Sequence, residues 1–153
     1  MPSRRLKEYL DKNQVKYISI QHSPAYTSQE IAAESHVPGR ILAKTVIVKI
    51  EGKMAMVVLP ATRKVILQEL RQALEAEKVT LATEAEFKEL FPDCELGAMP
   101  PFGNLYNMEV YLSPELANNE EIAFNAGTHT ELIKMSYKDF ERLVQPKVIS
   151  FTT

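Results

Sequence analysis

Two apolar, β-branched stretches, Ile41 to Ile50 and Lys53 to Pro60, flank the dipeptide Glu51-Gly52. That is the pattern of two strands joined by a tight hairpin. Met54 to Leu59 is apolar on both faces of such a strand, so it suits the covered centre of a sheet and not a face open to water. The sheet therefore needs helices or a curled partner sheet over it.

The rest of the chain supplies both. A helix is expected after Ser3 as N-cap, running to about Asn13, with Leu6, Tyr9 and Leu10 as its apolar stripe. Val15 to Ile20 alternates as a strand. Thr27-Ser28-Gln29-Glu30 is a capping-box pattern that opens a helix ending near His36, before Pro38 and Gly39. Lys64 to Leu74 has helical spacing, and a second box, Thr83 to Glu86, starts a short helix through Phe91. Further strands are expected at Glu109 to Leu112, Glu121 to Asn125 and Thr130 to Met135. Ser136 then caps a helix to about Val144, and Lys147 to Phe151 closes the chain as an edge strand. Helices and strands are interspersed while the central strands are joined by a hairpin, which predicts a mixed sheet of the α+β class and not a doubly wound parallel one. The length of 153 residues suits one domain over 1–153, with no linker or internal repeat.

Composition excludes several functions. The N-terminal residues carry charge at Arg4, Arg5, Lys7 and Glu8 without an apolar core, unlike a signal peptide, and no apolar run approaches the ~20 residues of a membrane helix. A cytoplasmic location without membrane contact is expected. Cys94, the single cysteine, can form no internal disulfide. No P-loop, H-E-x-x-H, G-x-S-x-G or Cys/His cluster is present, and His22, His36 and His129 lack ligand spacing, so neither a metal nor a cofactor is expected. The net charge of -2, from 18 basic and 20 acidic residues, is a poor footprint for gripping a long stretch of phosphate backbone. DNA is not expected as a partner, and any RNA contact should be local.

Three segments could carry chemistry. Lys44 shares a strand face with Val46, Val48 and Ile50, so it is either a lysine reaching out from the rim of the core or a fixed charge at the mouth of a pocket. Gly97-Ala98-Met99-Pro100-Pro101-Phe102-Gly103 is a stiff loop, either a rigid connector with Phe102 in the core or a source of backbone N–H groups for a developing oxyanion. In Ala126-Gly127-Thr128-His129 the glycine permits close backbone approach, and the histidine either caps a turn or orients a water.

These segments, with His22-Ser23-Pro24-Ala25 before the Thr27 helix, occur in the order and approximate spacing of the YbaK and prolyl-tRNA synthetase associated editing domains, which the chain resembles from about residue 15 to 150. The resemblance implies a mixed, partly barrel-like β-sheet flanked by helices. It implies a trans-acting deacylase that hydrolyses the ester of mischarged tRNA bearing a small amino acid such as alanine or cysteine, with tRNA(Pro) among the candidate carriers. It assigns catalysis to Lys44, Gly103 and His129, and substrate contact to His22, Tyr26, Gly97, Met99, Pro100, Phe102, Gly127 and Thr128. Its partners would be the aminoacyl-tRNA acceptor end and an aminoacyl-tRNA synthetase. Ser113 departs from the acidic residue that many relatives carry after the preceding strand. Two other readings compete: a non-catalytic module that binds a synthetase or an aminoacyl ligand, and a hydrolase of small aminoacyl esters without an RNA partner.

Overall fold

The computed structural model of the chain describes residues 4–24, 30 and 35–153. The expected Ser3 cap, the Thr27 capping box with most of its helix, and Tyr26 lie outside the described residues.

Helix α1 (Arg4–Lys12) buries Leu6 and Leu10, one helical turn apart. Among the described residues eight strands follow in one mixed sheet: β1 (Tyr17–Gln21), β2 (Leu42–Ile50), β3 (Lys53–Pro60), β4 (Val79–Leu81), β5 (Val110–Leu112), β6 (Glu121–Asn125), β7 (Glu131–Ser136) and β8 (Lys147–Val148). The spatial order is β1-β7-β6-β2-β3-β5-β8, with β4 also paired to β2. The hairpin between β2 and β3 is as expected: Glu51 and Gly52 have φ of 50° and 86°, the pair of left-handed residues that matches the twist of the flanking strands.

Strand alternation sorts the sheet into two apolar layers. Ala43 and Ile47 of β2, with Met56 and Val58 of β3, pack with Leu6, Leu10, Phe102, Phe124 and Phe140 on one face. Val48, Val57 and Leu59 pack with Leu70 and Phe151 on the other. β3 is accordingly buried on both sides, from Ala55 to Pro60. Helix α2 (Leu67–Ala73) lies over the second face, and α5 (Tyr137–Val144) over the first. The Ser136 cap of α5 is present, its hydroxyl accepting from the Asp139 N–H.

Where α2, the C-terminal strand and β4 differ from expectation, long-range pairing is the cause. α2 begins at Leu67 and not at Lys64, because Val65 bridges Thr152 and the Ile66 N–H donates to the Phe151 carbonyl at 2.7 Å. The same bridge takes up the C-terminal strand, which pairs with β5 only at Lys147–Val148. β4 and the short helix α4 (Pro114–Ala117) were not expected at all.

Helix α3 (Glu84–Phe87) carries the predicted box in full: Thr83 Oγ1 accepts from the Glu86 N–H, and the Glu86 carboxylate accepts from the Thr83 N–H. Beyond it, residues 88–90 tighten into a 3-10 turn. With only four helical residues, α3 depends on that cap. Thr83→Ala should lower global stability by about 1 kcal/mol in urea denaturation; an unchanged midpoint would show the box adds nothing net.

Candidate active site

β2 is the strand from which the site is built. Along one edge it pairs with β3 from Ala43 to Ile50, while its other edge pairs with β6 only at Leu42 and Ala43 and with β4 only at Val48 to Ile50. Lys44 stands where β6 leaves. Its side chain shares a face with Leu42 and Val46, opposite Leu59 in the β3 register. The lysine is partly buried, and no carboxylate pairs with it among the described residues. Burial, followed by the like charge of Lys64, pushes its ammonium below the usual lysine range.

One residue further in the parallel β2–β6 register, Asn125 lies level with Lys44 on the same face. Ser113 follows β5 beside Leu59, its N–H donating to the Val58 carbonyl at 2.9 Å. The Asn125 Oδ1 and Ser113 Oγ atoms are both buried without a hydrogen-bond partner among the described residues. Leaving such groups unsatisfied costs about 1–3 kcal/mol each, a cost a bound ligand could offset.

The second and third segments are stapled together. The Glu95 N–H donates to the Gly127 carbonyl at 2.8 Å, and the Gly127 N–H returns to the Ala98 carbonyl at 3.0 Å. The Glu95 carboxylate accepts from the His129 N–H at 2.7 Å, and His129 Nε2 lies 2.8 Å from the Leu96 carbonyl. A carbonyl only accepts, so Nε2 carries the proton. Gly97, at φ +86°, passes beneath this ring; an added Cβ would stand 3.4 Å from His129 Cε1. Thr128 turns the chain locally, its hydroxyl accepting from the Thr130 N–H. His22 joins the same cluster through its N–H, which donates to the Thr130 carbonyl at 2.9 Å. Its Nδ1 donates to the Ser23 carbonyl, and its Nε2 is buried without a partner among the described residues.

The structure thus gathers His22, Gly97, Gly127, Thr128 and His129. It sends the later loop side chains elsewhere: Met99 and Phe102 enter the core on the face of β2 opposite Lys44, and Pro100 is buried. Phe102 is fully buried and edge-on to Tyr9, Phe124 and Phe140. Gly103 has a packing reason of its own, since an added Cβ would meet the Met108 carbonyl at 2.4 Å. What links the loop to Lys44 is β6, which runs from beside Lys44 to the Gly127–Ala98 bond.

Among the described residues no group of His, Cys, Asp and Glu is placed to hold a metal. Burial pushes the Cys94 thiol up to about 11, so it is no nucleophile at neutral pH. Among the described residues no helix is long and apolar enough to cross a membrane. A groove of about 640 Å³ opens at the far end of the β2–β3 hairpin between Lys53, Met54, Met108 and Tyr111, and none of the candidate residues lines it. Sequence reasoning missed Glu95, Asn125 and Lys64. Only Asn125 carried a usable signal, as a polar residue ending an apolar strand beside the glycine.

The model of the aminoacyl-tRNA editing domain family matches residues 22–143. The multifunctional Ser/Thr-tRNA deacylase ProXp-y of Escherichia coli (strain K12) is 30% identical over 127 residues, 78% of this chain and 75% of that protein. The prolyl-tRNA editing protein ProX of Acetoanaerobium sticklandii is 24% identical over 142 residues, covering 89% and 86% respectively. In fold, a crystal structure proposed to be a trans-editing enzyme for prolyl-tRNA synthetase superposes with a TM-score of 0.84 at 19% identity, over 99% of this chain and 97% of that one.

Proposed function

The chain belongs to the aminoacyl-tRNA editing domain family, and on that premise we propose that it hydrolyses misacylated tRNA in trans, releasing a small amino acid through water. The observation that carries the reading is Lys44: a partly buried ammonium without a carboxylate partner among the described residues. Folding gains nothing from desolvating an unpaired charge. An anionic or carbonyl oxygen of a substrate would supply the missing partner.

The reaction asks little of the protein. Water adds to the ester carbonyl, the acyl C–O bond breaks, and the ribose hydroxyl leaves with a proton. An aminoacyl ester is already activated by its ammonium and neighbouring hydroxyl, so an oriented water and donors to the oxyanion suffice, each donor contributing roughly 3–4 kcal/mol. The N–H groups of Gly97 and Met99 donate to no carbonyl among the described residues and are candidates for that role. The side chains of Met99 and Phe102 act on the site only by holding their loop. Asn125 and Ser113 favour a substrate with its own polar groups, in keeping with the serine and threonine in the name of the ProXp-y relative. Selection by volume would exclude larger residues.

We infer that the protein acts in the cytoplasm, where charged tRNA is used, and as one domain. The net charge of -2 fits contact limited to the acceptor end, with a synthetase delivering the tRNA, and implies a shallow salt dependence of binding. The test is a deacylation screen over tRNAs charged with alanine, cysteine, serine and threonine. Release from at least one is expected. Binding without release from any would favour the non-catalytic module, and cleavage of short aminoacyl esters alone would favour the small-ester hydrolase.

His129 is tied by its N–H to Glu95 and by Nε2 to Leu96, across from its own turn, so we assign it positioning of residues 95–98. His129→Ala should reduce kcat about tenfold, short of the roughly 10²-fold that an ångström of misplacement can cost. Unaltered kinetics in that variant would leave the histidine a turn residue only.

A further inference from the structure

Lys44 has a cationic neighbour, Lys64, whose like charge bears on it. No carboxylate pairs with either lysine among the described residues. We propose that Lys64, held in place by Thr152 and Thr153, forms with Lys44 a two-cation seat for a phosphate of the bound tRNA 3′ end; this rests on the deacylase reading above.

The backbone around Lys64 is pinned on both sides. Its N–H donates to Thr153 Oγ1 at 3.3 Å, its carbonyl accepts from the Thr153 N–H at 3.1 Å, and the next residue, Val65, bridges Thr152. At the other end, the turn from β3 is closed by the Ala61 N–H on the Leu42 carbonyl and the Arg63 N–H on the Pro60 carbonyl. Val65, the residue after Lys64, packs in the same apolar cluster as Val46 and Leu59, the β2 and β3 residues on the face of Lys44, so Lys64 enters the site from that side.

Arg63 is not available for the same task. Its Nε donates to Glu115 at 3.0 Å and its Nη1 to the Thr153 carbonyl at 3.1 Å. The segment therefore commits one cation to the protein and leaves the other exposed beside Lys44. Two ammonium groups near one another repel, and an anion with several acceptor oxygens relieves the repulsion from both. A phosphodiester next to the terminal nucleotide has that chemistry and lies one sugar away from the ester. Lys64 would act on the phosphate alone and so govern tRNA affinity, while Lys44, between the phosphate and the ester, serves both.

The experiment compares the wild type, Lys64→Gln and Lys64→Arg on aminoacyl-tRNA and on aminoacyl-adenosine, which carries the ester but no phosphate. It also measures uncharged tRNA binding against salt. Lys64→Gln should raise KM for aminoacyl-tRNA several-fold with kcat unchanged, and lower the slope of log K against log salt by about one. It should leave aminoacyl-adenosine cleavage intact, and Lys64→Arg should restore tRNA affinity. Equal losses on both substrates, or an unaltered KM and salt slope for tRNA, would overturn the proposal. A wild type that binds tRNA but cleaves neither ester sinks the deacylase reading, while the salt slope still decides the role of Lys64.

Discussion

Lys44→Ala should cut kcat/KM for a mischarged tRNA by roughly 10²–10³, the loss typical of removing one preorganised electrostatic contact to a reacting group. The fold should survive. The side chain forms no ion pair among the described residues, and its ammonium is held below its usual range by burial, so truncation removes an unfavourable desolvation along with the charge. Stability should stay within about 0.5 kcal/mol of wild type or rise. Lys44→Met, which keeps the stem and drops the charge, should match the alanine variant in rate. Deacylation at the wild-type rate in both variants would remove Lys44 from the site.

Gly103→Ala should destabilise the protein strongly for the addition of a single methyl. The new Cβ would lie 2.4 Å from the Met108 carbonyl oxygen and 2.6 Å from Val110 Cγ2. The first of these is backbone and cannot rotate away, and the Gly103 carbonyl is itself tied to the N–H groups of Tyr106 and Met108. The turn over residues 103–108 must open to admit the methyl, displacing Phe102 from its aromatic neighbours. A loss of about 3 kcal/mol or more follows, the upper range for overpacking. Gly52→Ala is the control: nothing lies within 4 Å of its added Cβ, so only its φ of +86° matters, at roughly 1–2 kcal/mol. Guanidinium melts of the two variants should therefore differ clearly, and equal midpoints would contradict the close packing around residue 103.

Legibility in the sequence followed how local the determining interaction is. The Glu51-Gly52 hairpin, the Thr83–Glu86 box and the Ser136 cap depend on residues a few positions apart, and each is present. The start of α2 was misplaced because Val65 and Ile66 answer to Phe151 and Thr152, more than eighty residues away. β4 has three residues, too few for a periodic signal, and exists because β2 offers it an edge. The face of Lys44 was readable because strand alternation is fixed at two. Loops have no such period, so the burial of Met99 and Phe102 on the other face could not be read from their spacing. Glu95, whose carboxylate holds the His129 N–H, stood in a Gly- and Pro-rich stretch with nothing to mark it.

The reciprocal bonds between Glu95, Ala98 and Gly127 join the loop to the β6–β7 turn, and the two should open together. In deuterated solvent the amide hydrogens of Glu95, Gly127 and His129 should then be lost at a common rate, set by one shared opening event. Departure of a cleaved amino acid past this wall would have to await that event, since neither segment can swing aside while the other stays shut.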